Sequence, residues 1–301
     1  MTCLTHTAGF TYGHMNAHPV DAMYRQRNLG GDNSSDMSLQ ALVGHLCKLP
    51  LLFSPGTRWS YSLATDVLGH LIEVISGQSL DRFFAEEILE PLGMADTGFS
   101  VSPDNAARLA AGYERDGGGF RLTDKPGESI YLKQPIFLSG GSGLVSTGHD
   151  YLRFSQMLLN KGQLEGVQLL GRKTVELMTS NHLPQNGDLT SMGYTFYSDS
   201  RRDGIGVGLG ARYNLRLGGV RSETRHDGLG FGFGGSVLLN PATAHILGSP
   251  GEYAWGGAAS TAFWVDPVEE MTVIFLTQLL PSSSYPIRRQ LRVLTYQAIV
   301  D

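Results

Sequence analysis

The chain has 301 residues, of which 41% are hydrophobic and 17% are charged, and its 23 basic and 28 acidic residues give a formal net charge of −5. A chain of this length and composition can bury a large core, which excludes a disordered or fibrous protein. The acidic balance and the scattered basic residues predict no nucleic-acid partner, and no apolar run reaches the length of about 18 residues that predicts a membrane span.

The first two thirds of the chain predict helices. Ser38 precedes an apolar pattern that ends near Pro50, and Ser62 precedes a longer pattern that ends at Gly77. Further amphipathic segments begin at Ser79, Thr147 and Lys173. Because each segment has an apolar face, these helices need a common core.

The last third predicts a sheet. Three runs rich in apolar and β-branched residues are each predicted to form one strand: Phe231–Leu239, Ala254–Val265 and Met271–Gln278. Their short connections favour antiparallel neighbours, and Pro286 begins a closing helix. We therefore predict an α+β fold, an antiparallel sheet flanked by helices beside a mostly helical region, with residues 1–200 and 201–301 forming these two regions of one co-folded unit.

Neither a metal nor a cofactor is expected. Residues 230–235 satisfy the pattern Gly-x-Gly-x-x-Gly, but a strand pattern rather than a helix follows, so no helix N-terminus would face a phosphate. Cys3 and Cys47 belong to no zinc-binding spacing. The N-terminus lacks the basic and apolar regions of a secretory signal, so we expect a cytoplasmic location.

Two segments carry residues that suit a site. The turn at residues 55–63 delivers Tyr61 to the start of the helix after Ser62, and Trp255-Gly-Gly-Ala258 places two glycines inside a predicted strand. A glycine pair in a strand marks a bulge or a close approach to the backbone. Composition alone favours a packed core aromatic for Tyr61 and a bulge for the glycine pair.

Five motifs occur in the order known from one superfamily: Leu4–Phe10, Pro55–Ser62, Glu90–Met94, Gly143–Thr147 and Trp255–Gly257. On these motifs the chain resembles the serine β-lactamase-like superfamily of class C β-lactamases and penicillin-binding proteins, and most of all the family VIII carboxylesterases. The resemblance covers essentially the whole chain. It implies the β-lactamase/transpeptidase-like fold.

The resemblance also implies roles for individual residues. In this superfamily the serine of a Ser-x-x-Lys motif attacks an acyl carbonyl, and Tyr61 matches the tyrosine that serves as general base. Trp255, Gly256 and Gly257 match the strand motif that lines the oxyanion and substrate site. The backbone N–H of Ala258 would then donate to the developing oxyanion, an interaction worth about 3 to 4 kcal/mol in comparable sites.

Two departures from the lactamase pattern bear on the substrate. Leu63 stands where lactamases of this type place the asparagine of Tyr-x-Asn, and Trp255 replaces a lysine. Both changes remove polar anchors, so the resemblance implies a small, neutral carboxylic ester as substrate rather than an anionic β-lactam. The expected activity is that of a serine carboxylesterase.

A third departure concerns the nucleophile. None of the five lysines has a serine three residues before it, so these 301 residues contain no Ser-x-x-Lys motif. In the superfamily that motif and part of the sheet precede the Leu-Thr-His-Thr segment. We therefore expect missing N-terminal strands, an inactive chain when alone, and an incomplete sheet edge that a partner chain or self-association would cover.

Two alternatives to the esterase remain open. The first is a non-catalytic binding scaffold that has lost its serine. The second is a β-lactamase, peptidase, amidase or acyltransferase on the same fold.

Overall fold

The structure, a computed structural model, describes residues 1–15, 18–30, 36–116, 118–192, 226–282 and 284–300. The predicted boundary between residues 200 and 201 lies outside the described residues, so the division into two regions stays a prediction. Among the described residues, no helix combines the length and the apolar character that a membrane crossing requires.

The described helices are α1 (Pro19–Gln26), α2 (Leu39–Leu46), α3 (Ala64–Ser76), α4 (Leu80–Phe84, continued by a π-helical turn over Ala85–Leu89), α5 (Gly148–Leu159), α6 (Arg172–Met178), α7 (Pro241–Ala244) and α8 (Ile287–Tyr296). Short 3₁₀ turns lie between several of them.

Local capping explains why the predicted helices begin and end where they do. The Ser38 hydroxyl accepts from Ala41 N at 3.2 Å before α2, and the Thr147 hydroxyl accepts from Asp150 N at 3.2 Å before α5. Gly77 ends α3 with a φ of 71°, a left-handed conformation that favours glycine. The start predicted at Ser62 is one residue early, because Leu63 is the N-cap residue of α3.

The strands are β1 (Gly112–Asp116), β2 (Gly119–Asp124), β3 (Gln163–Leu164), β4 (Val167–Gln168), β5 (Leu229–Phe231), β6 (Ser236–Leu238), β7 (Tyr253–Gly256), β8 (Ala262–Asp266), β9 (Met271–Phe275) and β10 (Leu279–Leu280). The main sheet has the order β5-β6-β7-β8-β9, and all of its neighbours are antiparallel. The predicted α+β class is confirmed.

Two of the three predicted strands were wrong in extent. The run Phe231–Leu239 contains the end of β5, a turn and β6, and the run Ala254–Val265 contains most of β7, a turn and β8. The first turn contains Gly234 and Gly235, and the second begins at Gly257. A turn that contains glycine ends a strand although the run around it stays hydrophobic. The third predicted strand begins at Met271, as observed. The observed strand ends at Phe275 instead of the predicted Gln278.

Three apolar clusters hold the fold together. One lies among α1 to α4 around Leu42, which is fully buried, and a second joins α5 to the main sheet around Met157. A third, smaller cluster contains Trp59, Leu183, Leu189 and Phe231, with Tyr61 and Trp255 packed against it. This third cluster joins the segment before α3 to the sheet.

The strand order leaves β9 as an outer strand of the main sheet among the described residues. One face of β9 packs against α5. The other outer strand of the described sheet is β5. The sequence predicts an incomplete sheet edge without assigning it to a strand, so the location of that edge and the identity of its cover stay predictions.

Candidate active site

The loop before α3 holds Tyr61 in place through its neighbours. The backbone N–H of Trp59 donates to Met192 O at 3.2 Å, and that of Ser60 donates to His6 O at 2.9 Å. Trp59 is also buried in the third cluster. Because the preceding two residues are fixed, the position of the half-buried Tyr61 ring is fixed as well.

Tyr61 and Trp255 meet, although they lie far apart in the chain. Their ring centroids are 5.5 Å apart, and the neighbouring indole of Trp255 lowers the pKa of the Tyr61 phenol. The structure thus brings together the tyrosine and the strand motif that the sequence singled out. Tyr61 belongs to the loop before α3 and Trp255 to β7, so the two side chains meet only when the helical part of the molecule packs against the sheet.

Tyr12 is a third member of this group that the sequence did not indicate. Its ring centroid lies 5.4 Å from that of Tyr61, and burial, together with the nearby Tyr61 and Asp66, raises the pKa of its hydroxyl. Tyr12 follows the Leu4–Phe10 motif by two residues, and that proximity is the one signal that could have suggested it.

The hydrogen bonds and the burial act on Tyr61 in opposite directions. Burial raises the pKa of Tyr61 above its ordinary value, and the negative charge of Asp66 raises it further. The hydrogen bonds donated by Trp255 and Tyr12 lower the same pKa because they stabilise the phenolate. The net pKa is raised, so Tyr61 needs a nearby cation to act as a base near neutrality.

Gly256, Gly257 and Ala258 form the end of β7 and the turn into β8. The Gly257 N–H donates to the carbonyl and the hydroxyl oxygen of Thr261, both at 3.1 Å, which closes the turn. Within the described part of the chain, the N–H of Ala258 donates to no protein group, and the residue is exposed. It is therefore available to bind an anion. The Gly256–Gly257 pair lies at the end of a strand rather than inside one.

Leu63 lies in the core. Its side chain is 1% exposed and packs in the helical cluster with Leu42 and Leu80. Of the two positions that distinguish the chain from lactamases, Trp255 contacts Tyr61 and Leu63 belongs to the core. The expectation about the substrate therefore depends on Trp255 alone.

The loop at residues 139–143 is bound to the start of α3 by Asp66. The Ser139 hydroxyl donates to the Asp66 carboxylate at 2.5 Å, and the backbone N–H groups of Gly140 and Gly141 donate to it as well. Burial raises the pKa of Asp66, and the Ser139 hydroxyl together with the backbone N–H groups of Gly140, Gly141 and Asp66 itself lowers it. Asp66 fixes a glycine-rich loop beside Tyr61, and Ser142 in that loop bonds to Ser139 at 3.2 Å.

His6 and Ser62 form a buried pair behind Tyr61. The His6 Nδ1 and Ser62 Oγ atoms are 3.3 Å apart, and both side chains are at most 2% exposed. No substrate reaches a hydroxyl buried in this way, so the pair is structural. The His6 ring lies 4.7 Å from the Tyr61 ring and supports it from behind.

His6 makes the stability of the fold depend on pH. Burial lowers the pKa of His6 from 6.5 to about 3. Between pH 6.5 and about 3 the unfolded chain therefore protonates His6 whereas the folded chain does not. The free energy of unfolding should lose about 1.4 kcal/mol per pH unit from this group as the pH falls.

The variant His6→Asn tests this dependence. Asparagine tolerates the φ of 53° at this position and does not titrate. Urea unfolding between pH 7 and 4 should show a shallower loss of stability for the variant than for the unmodified protein. The buried His226, whose pKa is lowered to about 4, contributes equally to both proteins. Parallel curves would contradict the assignment to His6.

Comparison with known proteins gives evidence about the chain that is independent of the site geometry. The beta-lactamase family model matches residues 3–297. Protein Rv1367c of Mycobacterium tuberculosis is 34% identical over 285 residues, which covers 93% of this chain and 62% of the relative. Esterase EstB of Burkholderia gladioli is 29% identical over 291 residues, which covers 91% of this chain and 63% of the esterase.

A solved structure shows the same fold. EstCE1, described as a hydrolase with promiscuous acyltransferase activity, has a TM-score of 0.75 and 25% sequence identity to the chain, and the match covers 98% of this chain and 71% of that chain. The chain spans less than two thirds of the length of the two curated relatives described above.

Proposed function

Since the chain belongs to the beta-lactamase family, we propose that it carries the general base and the oxyanion site of a serine hydrolase that acts on carboxylic esters. The observation that supports this most directly is the contact between Trp255 and Tyr61, whose ring centroids are 5.5 Å apart. At this position the resemblance to lactamases would place a lysine, and the neutral indole N–H keeps a donor on the phenol without offering a cation to an anionic substrate.

The nucleophile in this proposal is the serine of a Ser-x-x-Lys segment from outside these 301 residues. The lysine of that segment supplies the cation that the raised pKa of Tyr61 requires. Without the segment, Tyr61 stays protonated at neutral pH, and the chain alone is inactive.

The reaction proceeds through an acyl-enzyme. Tyr61 as phenolate takes the serine proton while the serine oxygen bonds to the ester carbonyl carbon, and the carbonyl electron pair moves onto its oxygen. The Ala258 N–H binds that oxyanion. When the intermediate collapses, the bond to the alcohol oxygen breaks and Tyr61 returns the proton to it. Water then repeats the sequence and releases the acid.

Neutral esters are the proposed substrates. The esterase EstB and the hydrolase EstCE1 are two of the similar proteins whose names state an activity. Trp255 lies against Tyr61 with an apolar ring, so the wall of the cleft at this point is uncharged. An anionic β-lactam would find no cation from Trp255, and losing one charged hydrogen bond costs about 1.5 to 3 kcal/mol.

A completed enzyme tests the proposal. We define it as the 301-residue chain fused behind the part of Protein Rv1367c that lies N-terminal to the match, provided that this part carries a Ser-x-x-Lys motif. It should hydrolyse p-nitrophenyl butyrate with a kcat/KM at least about tenfold above that for benzylpenicillin. Serine-to-alanine replacement in the motif is the control and should abolish turnover.

The unfused chain separates the esterase from the non-catalytic scaffold. The absence of a Ser-x-x-Lys motif from the 301 residues favours the alternative of a non-catalytic binding scaffold. A fluorophosphonate should add no mass to the unfused chain and one adduct to the completed enzyme. A folded fusion that neither turns over esters nor takes up the reagent would favour the scaffold. Better turnover of the penicillin would overturn the ester specificity.

A further inference from the structure

Arg288 contacts the turn that carries the Ala258 N–H. It lies in the first turn of α8, and its Nη2 atom donates to the carbonyl oxygen of Gly257 at 2.7 Å and to that of Thr261 at 2.8 Å. The two carbonyls flank the turn between β7 and β8. One guanidinium thus bridges both ends of the turn.

The first glycine of the strand motif makes this contact possible. A Cβ atom built on Gly256 would lie 2.7 Å from Arg288 Nη2 and 2.8 Å from its Cζ, both too close for a real side chain. Any other residue at position 256 would displace the guanidinium. The same Cβ would lie 2.8 Å from the Thr261 carbonyl oxygen, so the glycine is explained by the close approach of both Arg288 and the Thr261 backbone.

The bonded carbonyl and the free N–H belong to one peptide unit. The C=O of Gly257 and the N–H of Ala258 lie in the same plane and point in opposite directions. A positive donor on the carbonyl oxygen polarises the peptide and makes its N–H a stronger donor. The charge of Arg288 is thereby transmitted to the side of the turn where the N–H of Ala258 is available.

We propose that Arg288 is a positioning residue that orients and polarises the Gly257–Ala258 peptide for binding the oxyanion. The inference deepens the proposed function and rests on it for its catalytic consequence. Arg288 touches no reacting atom and acts through the peptide.

Other contacts attach α8 to the sheet. Arg292 pairs with Glu252, and the Tyr296 hydroxyl lies 2.7 Å from the Asp266 carboxylate. The helix therefore has anchors besides Arg288, so a neutral replacement at position 288 should leave it attached. Arg289 supplies a matched control, because it is an exposed neighbour that donates to His245 O at 2.9 Å, away from the turn.

Amide exchange in the unfused 301-residue protein tests the polarisation without any need for activity. The variant Arg288→Gln removes the charge but keeps a donor. The base-catalysed exchange of the exposed Ala258 N–H should slow by about fourfold, because a neutral neighbour makes the peptide less acidic. Exchange of the bonded Gly257 N–H should stay unchanged. Arg288→Lys should retain the faster Ala258 exchange, and Arg289→Gln should have no effect.

Kinetics of the completed enzyme test the catalytic consequence. Arg288→Gln should lower kcat for p-nitrophenyl butyrate about tenfold, with KM changed by less than about twofold, since the oxyanion forms only in the transition state. Arg288→Lys should restore most of kcat, and Arg289→Gln should match the unmodified enzyme.

Two results would overturn the inference. One is unchanged Ala258 exchange in Arg288→Gln. The other is faster amide exchange of the Gly257 N–H in both Arg288 variants. That result would show that Arg288 only stabilises the structure of the turn. If the completed enzyme is inactive with every substrate, the proposed function fails, and the exchange data still decide whether Arg288 polarises the peptide.

Discussion

Replacing Tyr61 with phenylalanine in the completed enzyme should lower kcat for p-nitrophenyl butyrate about a thousandfold while KM changes little. The variant keeps the ring, which packs against His6 and Trp255, and removes only the oxygen that takes the serine proton in the proposed mechanism. General-base catalysis typically contributes about 10² to 10⁴ in rate. Because the substrate does not need that oxygen to bind, the loss should appear in kcat.

Tyr151→Phe is the matched control for this variant. Tyr151 lies on α5, and its ring packs against Phe154 and Phe263 in the other half of the core. Its hydroxyl has no part in the proposed chemistry, so activity should remain within about twofold. A Tyr61→Phe variant that is as active as the control would remove Tyr61 from the mechanism and with it the main support for the proposed function.

Replacing Arg292 with methionine should lower the free energy of unfolding by about 3 to 5 kcal/mol. Arg292 on α8 pairs with Glu252, whose side chain is 1% exposed, and its guanidinium lies 4.5 Å from the Trp264 ring centroid. Methionine keeps most of the side-chain volume but leaves the Glu252 charge buried without its cation. Breaking one half of a buried pair costs more than the pair contributes, because the remaining charge stays desolvated.

Urea unfolding measures this cost, and two further variants interpret it. Arg289→Met changes an exposed arginine on the same helix and should alter stability by less than about 0.5 kcal/mol. Adding Glu252→Gln to Arg292→Met should recover part of the loss, since it removes the uncompensated charge. A loss below about 1 kcal/mol for Arg292→Met, or no recovery in the double variant, would show that the pair is not effectively desolvated.

The helices show that local contacts are sufficient to predict where most helices begin and end. Ser38, Thr147 and Gly77 begin or end helices through contacts within one turn, so their effect is readable from neighbouring residues. The start of α1 depends on a histidine cap, with His18 Nδ1 accepting from Val20 N at 3.2 Å, and that residue is not an ordinary cap. The sequence pattern therefore did not predict this helix.

The strands show where the same reasoning fails. An apolar run that contains a glycine pair is compatible with one interrupted strand and with a hairpin, because both bury the same residues. Pairing between β7 and β8, with Gly256 opposite Ala262, decides between them. That pairing is a contact between segments, which no residue in either segment encodes alone.

The sequence by itself determined the family, the α+β class and the two segments that meet at the site, because ordered motifs and capping patterns are local properties of the chain. Only the tertiary structure decided that Trp255 contacts Tyr61, that Tyr12 joins them, that Leu63 turns into the core and that Arg288 binds the carbonyls of Gly257 and Thr261. Each of these contacts joins residues that are distant in the chain. Their geometry follows from how the helical clusters pack against the sheet, which local patterns do not specify.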